Sequence, residues 1–179
     1  MRYILAAISI LLLATSPSLA AQSTRERIKP LLGFSVDRFL YENGAVTAMS
    51  VRFADLRPGR VGTEVGLSLF PDALSAQSLL LAADGGPVYN ASGPTVGLLV
   101  KAGFSSLMSV GSGSAFYPGV HLGSGLLLRM GKTTGLRVDV VRHYYRVDHE
   151  TEGLWSIGLG ITALPRRPGS GKAGPAGSK

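Results

Sequence analysis

The sequence has no cysteine and few charged residues. Charged side chains make up 16% of its 179 residues, whereas glycine occurs 24 times. Ordinary soluble domains carry about 25% charged residues and about 7% glycine. The lack of cysteine excludes a disulfide framework and thiolate chemistry. The low charge and high glycine content argue against an ordinary water-soluble domain.

Long apolar runs are also scarce, and the one near the N-terminus is too short for a membrane-spanning helix of about 20 residues. A short basic start precedes an apolar run over residues 3–14, and Ser18 and Ala20 are the small residues expected before cleavage at Ala21. This pattern predicts a secretory signal peptide over residues 1–20.

The formal net charge of +7 would suit a nucleic-acid partner, but the distribution of the basic residues does not. Several lie in a Pro/Gly/Ser-rich C-terminal stretch, and the others are spread without interleaved aromatic residues. We therefore expect no nucleic-acid partner, a disordered tail over residues 165–179 and one folded domain over residues 21–164.

What the chain does have is alternation. In the segment 155–163, Trp, Ile, Leu, Ile and Ala alternate with Ser, Gly, Gly and Thr. A period of two predicts a strand with one apolar face. The other face is small and uncharged, not rich in the Lys and Glu that a water-facing sheet carries. This combination is typical of a small membrane barrel with lipid outside and a narrow polar interior.

Eight such segments follow one another, separated by turn residues. The least certain is the first, over residues 32–37. The fourth, predicted near residues 77–84 and followed by an Asp-Gly-Gly-Pro turn at 84–87, is short and apolar on both phases. Most reach the roughly 9 to 11 residues of a tilted membrane strand. The predicted fold is all-β: an eight-stranded, antiparallel, up-and-down transmembrane β-barrel.

Because the number of strands is even, the first strand begins and the last strand ends at the same, periplasmic side. Aromatic residues should then form a girdle near the cell exterior, because amphipathic rings gather at membrane interfaces. The candidates are Phe39, Tyr41, Phe70, Phe104, Phe116, Tyr117, Tyr144, Tyr145 and Trp155.

Charged residues recur on the predicted inward phase. Glu64, Arg129, Arg137 and Asp139 should point into the same part of the lumen. An isolated buried ion is costly, so we predict one ion-pair cluster that contains Glu64 and at least one of the two arginines. Eight strands leave an interior that side chains fill, which favours a plugged lumen over a pore.

The sequence offers no catalytic, cofactor-binding or metal-binding constellation. Ser124 falls on the opposite phase from His121, and no serine stands beside His143 in the sequence. His149 lies between two acidic residues in a predicted turn, without another histidine at ligand spacing. We therefore predict a protein that is not an enzyme and holds no cofactor.

The chain resembles the small eight-stranded outer-membrane barrels of the OmpA and OmpX type over roughly residues 31–164. Its last strand is similar to the assembly signal of such proteins, with Ser156, Gly158, Ile161 and Ala163 at the signal positions. The family usually has an aromatic residue where Ala163 stands, and the strand often closes the chain.

The resemblance implies a monomer in the outer membrane of a Gram-negative bacterium. Its partners would be outer-membrane lipids, lipopolysaccharide and, during insertion, the barrel-assembly machinery. Its role would be structural or one of surface interaction. Two alternatives stay open: an outer-membrane enzyme that modifies lipid A or phospholipid, and a soluble periplasmic lipid-binding barrel of the lipocalin type.

Overall fold

A computed structural model describes residues 30–75, 79–93, 95–111 and 114–164. The predicted signal peptide and the predicted C-terminal tail lie outside these described residues. A short helix, α1 (Pro71–Ser75), stands between the third and fourth strands. The strands are β1 (Leu31–Tyr41), β2 (Gly44–Ala54), β3 (Val61–Leu69), β4 (Leu79–Ser92), β5 (Val96–Val110), β6 (Ala115–Arg129), β7 (Thr134–Val147) and β8 (Glu150–Ala163).

The eight strands form one closed barrel in which each pairs antiparallel with its neighbours in sequence. β1 pairs with β8 to close the ring. Tight turns set the register: at the β7–β8 turn, Asp148 has a φ of 44° and His149 a φ of 75°. Positive φ at both central residues is what a type I′ hairpin turn requires. The predicted eight-stranded up-and-down barrel is confirmed.

The predicted boundary of the fourth strand is wrong. β4 continues to Ser92, and the predicted Asp-Gly-Gly-Pro turn lies in its middle. Asp84 points inward and pairs with Arg52 on β2. A Cβ on Gly86 would lie 2.2 Å from the carbonyl oxygen of Ala102, so glycine allows β4 and β5 to approach here. Asp84 and Gly86 are residue types common in turns, but here they make contacts with other strands. Local sequence rules do not predict such contacts.

The outward face of the barrel is apolar. Met49, Leu67, Phe104, Leu122 and Leu159, on five different strands, are between 51% and 78% exposed. A continuous apolar belt of this kind is unfavourable in water and suits hydrocarbon. Among the described residues, no helix is both long and apolar enough to cross a membrane.

The middle of the inward face is polar and charged and the outward face is apolar, so the barrel is inverted relative to a soluble lipid carrier. A lipocalin-type protein would need an apolar cavity and a water-facing exterior. The structure therefore contradicts the soluble-barrel alternative.

The aromatic girdle is only partly as predicted. Phe104, Phe116 and Trp155 face outward, but other candidates are buried in the lumen. They lie on the inward face of their strands or on the loop after β3. The prediction used only how far along a strand each residue lies, and this does not show which face the residue is on. The buried candidates are Phe39, Phe70 and Tyr145.

Apolar side chains close the lumen at both ends. We call the end where β1 begins and β8 finishes the terminal end. It holds the lower apolar cluster, which consists of Ala54, Leu56, Val88, Leu99, Leu127 and Leu164. At the opposite, far end lies the upper apolar cluster of Phe39, Ala48, Phe70 and Ala82, against which Ala73 of α1 packs.

Candidate functional site

Seven charged side chains form one network in the middle of the lumen. They lie on the inward phases of β1, β2, β3, β4, β5 and β7, and each is at most 9% exposed. Each makes at least one salt bridge to another member. We call this group the ion network: Asp37, Arg52, Glu64, Asp84, Lys101, Arg137 and Asp139.

Glu64 lies at the centre of the ion network. Arg137 donates to both of its carboxylate oxygens, from Nη1 to Oε2 at 2.6 Å and from Nη2 to Oε1 at 3.0 Å. Lys101 Nζ lies 3.3 Å from Oε1, and Arg52 Nη1 lies 3.5 Å from the same oxygen. Two-pronged arginine–carboxylate pairs are among the strongest protein hydrogen bonds. One carboxylate thus links β3 to three other strands across the lumen.

Arg52 extends the ion network to the other side of the lumen. Its Nη2 lies 2.8 Å from Asp37 Oδ2, and its Nη1 lies 3.2 Å from Asp84 Oδ2. Ser50 Oγ donates to the same oxygen of Asp37 at 2.5 Å and lies 2.7 Å from Ser68 Oγ. The polar contacts therefore run from β1 through β2 to β3 and β4.

Asp139 completes the other side. Arg137 Nε lies 2.7 Å from Asp139 Oδ2, and Lys101 Nζ lies 3.2 Å from Asp139 Oδ1. With Glu64, these residues form a group of two acids and two bases in direct contact.

Glycines on neighbouring strands provide the space for the carboxylates. In the strand pairing, Asp37 is opposite Gly158, Asp84 opposite Gly66 and Asp139 opposite Gly125. A Cβ on these glycines would lie 2.0, 2.7 and 2.4 Å, respectively, from the facing Oδ1. These three inward glycines are therefore each paired with a carboxylate that they accommodate.

The structure brings three of the four predicted cluster residues together, namely Glu64, Arg137 and Asp139. Arg129 does not join them, and its assignment to the cluster is corrected here. It ends β6, at the terminal end, where its Nη1 donates to the Lys132 carbonyl at 3.1 Å. Leu127, the next inward position on β6, belongs to the lower apolar cluster and separates Arg129 from the ion network.

Sequence reasoning did not place four members in the predicted cluster. Arg52 and Lys101 stand on inward phases, but their partners depend on the closed ring. Asp84 was assigned to a turn, and Asp37 lies on the least regular of the predicted strands. One signal was available: an ionisable residue facing a glycine across a predicted hairpin, as Asp139 faces Gly125.

A second polar group lies in the lumen nearer the far end. His143 Nε2 is 3.0 Å from Ser156 Oγ, and the hydroxyl of Tyr145 is 3.5 Å from His143 Nδ1. The His143 ring also packs near Phe39 and His121, with centroid distances of 5.4 and 5.9 Å. We call His121, His143, Tyr145 and Ser156 the His–Ser layer.

The His143–Ser156 pair was missed because its members are on different strands. The β7–β8 register pairs Val141 with Ser156 and His143 with Leu154, so the two side chains are diagonal neighbours on the inward face. The two-residue turn at Asp148 and His149 sets this register, and it could have revealed the pair from sequence.

A serine next to a histidine is the arrangement of an activated nucleophile. Here, however, both residues are deeply buried, with Ser156 3% and His143 5% exposed. The partner of His143 Nδ1 is a tyrosine hydroxyl and not a carboxylate. Within the described parts of the chain, no three potential ligands group around a possible metal position. The geometry is that of a buried polar layer.

Solved structures with a similar fold include bacterial outer-membrane barrels. Neisserial surface protein A matches with a TM-score of 0.51 and 12% identity, over 75% of this chain and 94% of that one. The N-terminal β-barrel domain of Pseudomonas aeruginosa OprF matches with a TM-score of 0.55 and 14% identity, over 75% and 98%. Comparison with protein-family models and with curated proteins finds no match.

At these identities the likeness shows the fold alone. Together with the apolar outer face, it defines the class: this chain is a small eight-stranded transmembrane β-barrel of the bacterial outer-membrane type.

Proposed function

We propose that this protein is a monomeric structural barrel of the Gram-negative outer membrane, with a lumen closed by side chains and no enzymatic activity. Its periplasmic end is the terminal end, and its far-end loops are available for surface interactions. The single observation that carries the proposal is the binding of Glu64 to three basic side chains from β2, β5 and β7.

Side chains fill the lumen along its length. The lower apolar cluster lies at the terminal end, the ion network in the middle, and the His–Ser layer together with the upper apolar cluster toward the far end, where Phe39 stands beside His143. An ion crossing this path would have to break buried charge pairs and pass two apolar layers. Either step is costly in a region of low dielectric. Side-chain filling is also what an eight-stranded barrel favours geometrically.

The proposed orientation rests on the even number of strands, which brings the start of β1 and the finish of β8 to one side, and on the longest connection. The other connections span two to four residues at the far end and three to six at the terminal end, so they do not discriminate. The longest connection joins β3 to β4 at the far end and contains α1. Outer-membrane barrels place their longer loops outside the cell and short turns in the periplasm. The proposed partners follow from this placement: the lipids and lipopolysaccharide around the belt, and the assembly machinery that inserts the last strand.

Electrical recording tests the closed lumen. The purified barrel is reconstituted in planar bilayers, and folding is checked by heat-modifiable migration on gels. We expect no persistent open channel from the wild type. A stable conductance from correctly folded wild type would overturn the proposal.

The enzyme alternative is favoured by one observation, the 3.0 Å contact of His143 Nε2 with Ser156 Oγ. The wild type and Ser156→Ala are incubated with vesicles of phospholipid or lipid A, and released acyl chains are measured by mass spectrometry. We expect no product from either protein. Acyl release by the wild type that is lost in Ser156→Ala would establish the enzyme and reject the structural role.

A further inference from the structure

The outward face of the barrel carries charge in one sector only. On the outward positions of the eight described strands, the charged side chains are Arg38 on β1 and Arg142 and Arg146 on β7. All three are basic, and all three lie in the far-end half of their strands. β8 joins the two carrying strands, so they form one continuous sector. We call it the arginine sector.

Two aromatic rings hold Arg142 against this surface. Its guanidinium carbon lies 5.1 Å from the ring centroid of Trp155 and 5.5 Å from that of Tyr144. A Cβ on Gly153 would lie 2.2 Å from Arg142 Nη2, so this glycine makes room for the guanidinium. Cation–π contacts with two rings orient the group without neutralising its charge.

Among the described residues, no carboxylate forms an ion pair with these arginines. The ion pairs among the described residues do not include Arg38, Arg142 or Arg146. Arg38 Nη1 donates to Thr47 Oγ1 at 2.7 Å, which leaves its other donors available. Three uncompensated guanidinium groups on an otherwise apolar surface call for an anion from outside the chain.

The surroundings indicate the chemistry of that anion. Arginine provides a planar fork of donors that matches phosphate, and aromatic residues such as Trp155 and Tyr144 are typical of the membrane interface. At the far-end interface, the phosphate available to these groups belongs to a lipid of the outer leaflet.

The spacing points to more than one phosphate. Four residues along a strand place Arg146 about 13 Å from Arg142, and two strand spacings place Arg38 about 10 Å to the side of β7. These separations exceed what a single phosphate spans and suit a head group with phosphates at both ends. Lipid A, a disaccharide with two phosphates, has this chemistry.

We propose that the arginine sector is a binding site for the phosphate groups of lipid A, with Trp155 and Tyr144 as positioning residues for Arg142. The proposal rests on the orientation given under the proposed function, with the far end at the cell exterior. It adds a defined lipid contact to what would otherwise be a uniform apolar belt.

Trp155 provides the readout, because it is the single tryptophan of the chain and contacts Arg142. Bisphosphorylated lipid A is titrated into the full barrel in phosphatidylcholine nanodiscs, and Trp155 fluorescence is followed. We expect a saturable change for the wild type and at least tenfold weaker binding for the double variant Arg142→Gln with Arg146→Gln. Arg38→Gln should give a smaller loss.

Controls separate charge, geometry and folding. Lys132→Gln removes a basic residue from a terminal-end turn and should leave binding within about twofold. Arg142→Lys keeps the charge without the fork and should give an intermediate loss. Heat-modifiable migration confirms that each variant is folded, and native mass spectrometry counts retained lipid A where the fluorescence of a variant is altered.

Equal binding by the wild type and the double variant would overturn the site. Equal, arginine-dependent binding of phosphatidylglycerol would overturn the assignment to lipid A and indicate a general lipid phosphate. Both binding comparisons, with lipid A and with phosphatidylglycerol, are separate measurements from the conductance and acyl-release assays. A closed and catalytically inert barrel without lipid A binding would therefore reject this proposal alone.

Discussion

Arg137 on β7 and Glu64 on β3 are 73 residues apart in the sequence, yet they form a two-pronged salt bridge inside the barrel. The pair exists only because β3 and β7 face each other across a closed ring. It spans the lumen at the level of the ion network and brings Lys101 and Asp139 into the same group.

Removing the Glu64 charge should destabilise the barrel. In Glu64→Gln, Arg137 and Lys101 lose charge neutralisation in a buried site, and breaking a buried pair costs roughly 3–5 kcal/mol. Urea unfolding in lipid vesicles measures this loss, and bilayer recording shows whether small-ion conductance rises. Glu42→Gln, in the exposed β1–β2 turn, should change neither quantity. A Glu64→Gln barrel as stable and as closed as the wild type would show that the ion network contributes little.

The glycines that face carboxylates of the ion network should not tolerate a methyl group. Gly158→Ala places a Cβ against the Asp37 carboxylate, at 2.0 Å from Oδ1 in the unrelaxed structure. Overpacking of this kind costs about 1–3 kcal/mol. Gly131→Ala is the matched control, because its Cβ would have no neighbour within 4 Å. Thermal unfolding of both variants checks the prediction, and equal midpoints would contradict it.

The lower apolar cluster should depend on strand phase. Leu99 is fully buried, whereas its neighbour Leu98 is 47% exposed on the outward face. Leu99→Ala should cost about 2–5 kcal/mol in unfolding free energy, because it leaves a cavity in a packed layer. Leu98→Ala loses only contact with lipid and should cost clearly less. Similar losses at both positions would argue against a packed terminal-end layer.

The cost of a charge on the outward face should depend on depth. Leu126→Arg places a guanidinium at an outward position within β6 and should cost about 2–4 kcal/mol if this position lies near the bilayer midplane. Met130→Arg, at an exposed position just beyond β6, should cost about 1 kcal/mol or less. Ser68→Arg points inward and acts by crowding instead. Denaturant titration in lipid vesicles distinguishes the three variants, and equal costs at Leu126 and Met130 would contradict the membrane position.

Export remains a separate prediction. The small residues Ser18 and Ala20 predict cleavage before Ala21. Amino-terminal sequencing of the protein from bacterial envelopes tests it. An envelope protein that still begins at Met1 would show that the segment is retained.

Strand phase was largely readable from the sequence. In β3, Val65 and Leu67 alternate with Glu64, Gly66 and Ser68, and burial follows the same alternation. A two-residue period leaves only two choices of face for each residue. When one of the two faces is apolar, it identifies the residues that face lipid and those that face the lumen. Where both phases are apolar or a polar residue mimics a turn, as in β4 around Asp84, the local pattern is insufficient.

The sequence by itself determined the number of strands, their inward and outward faces and the membrane character of the belt. These properties depend on local alternation and on turn chemistry. Only the tertiary structure decided that Arg137 meets Glu64 and that Leu127 keeps Arg129 apart from them. The physical reason is that these contacts depend on ring closure and on the stagger between strands. Both are set by the packing of all eight strands together and are encoded in no single segment.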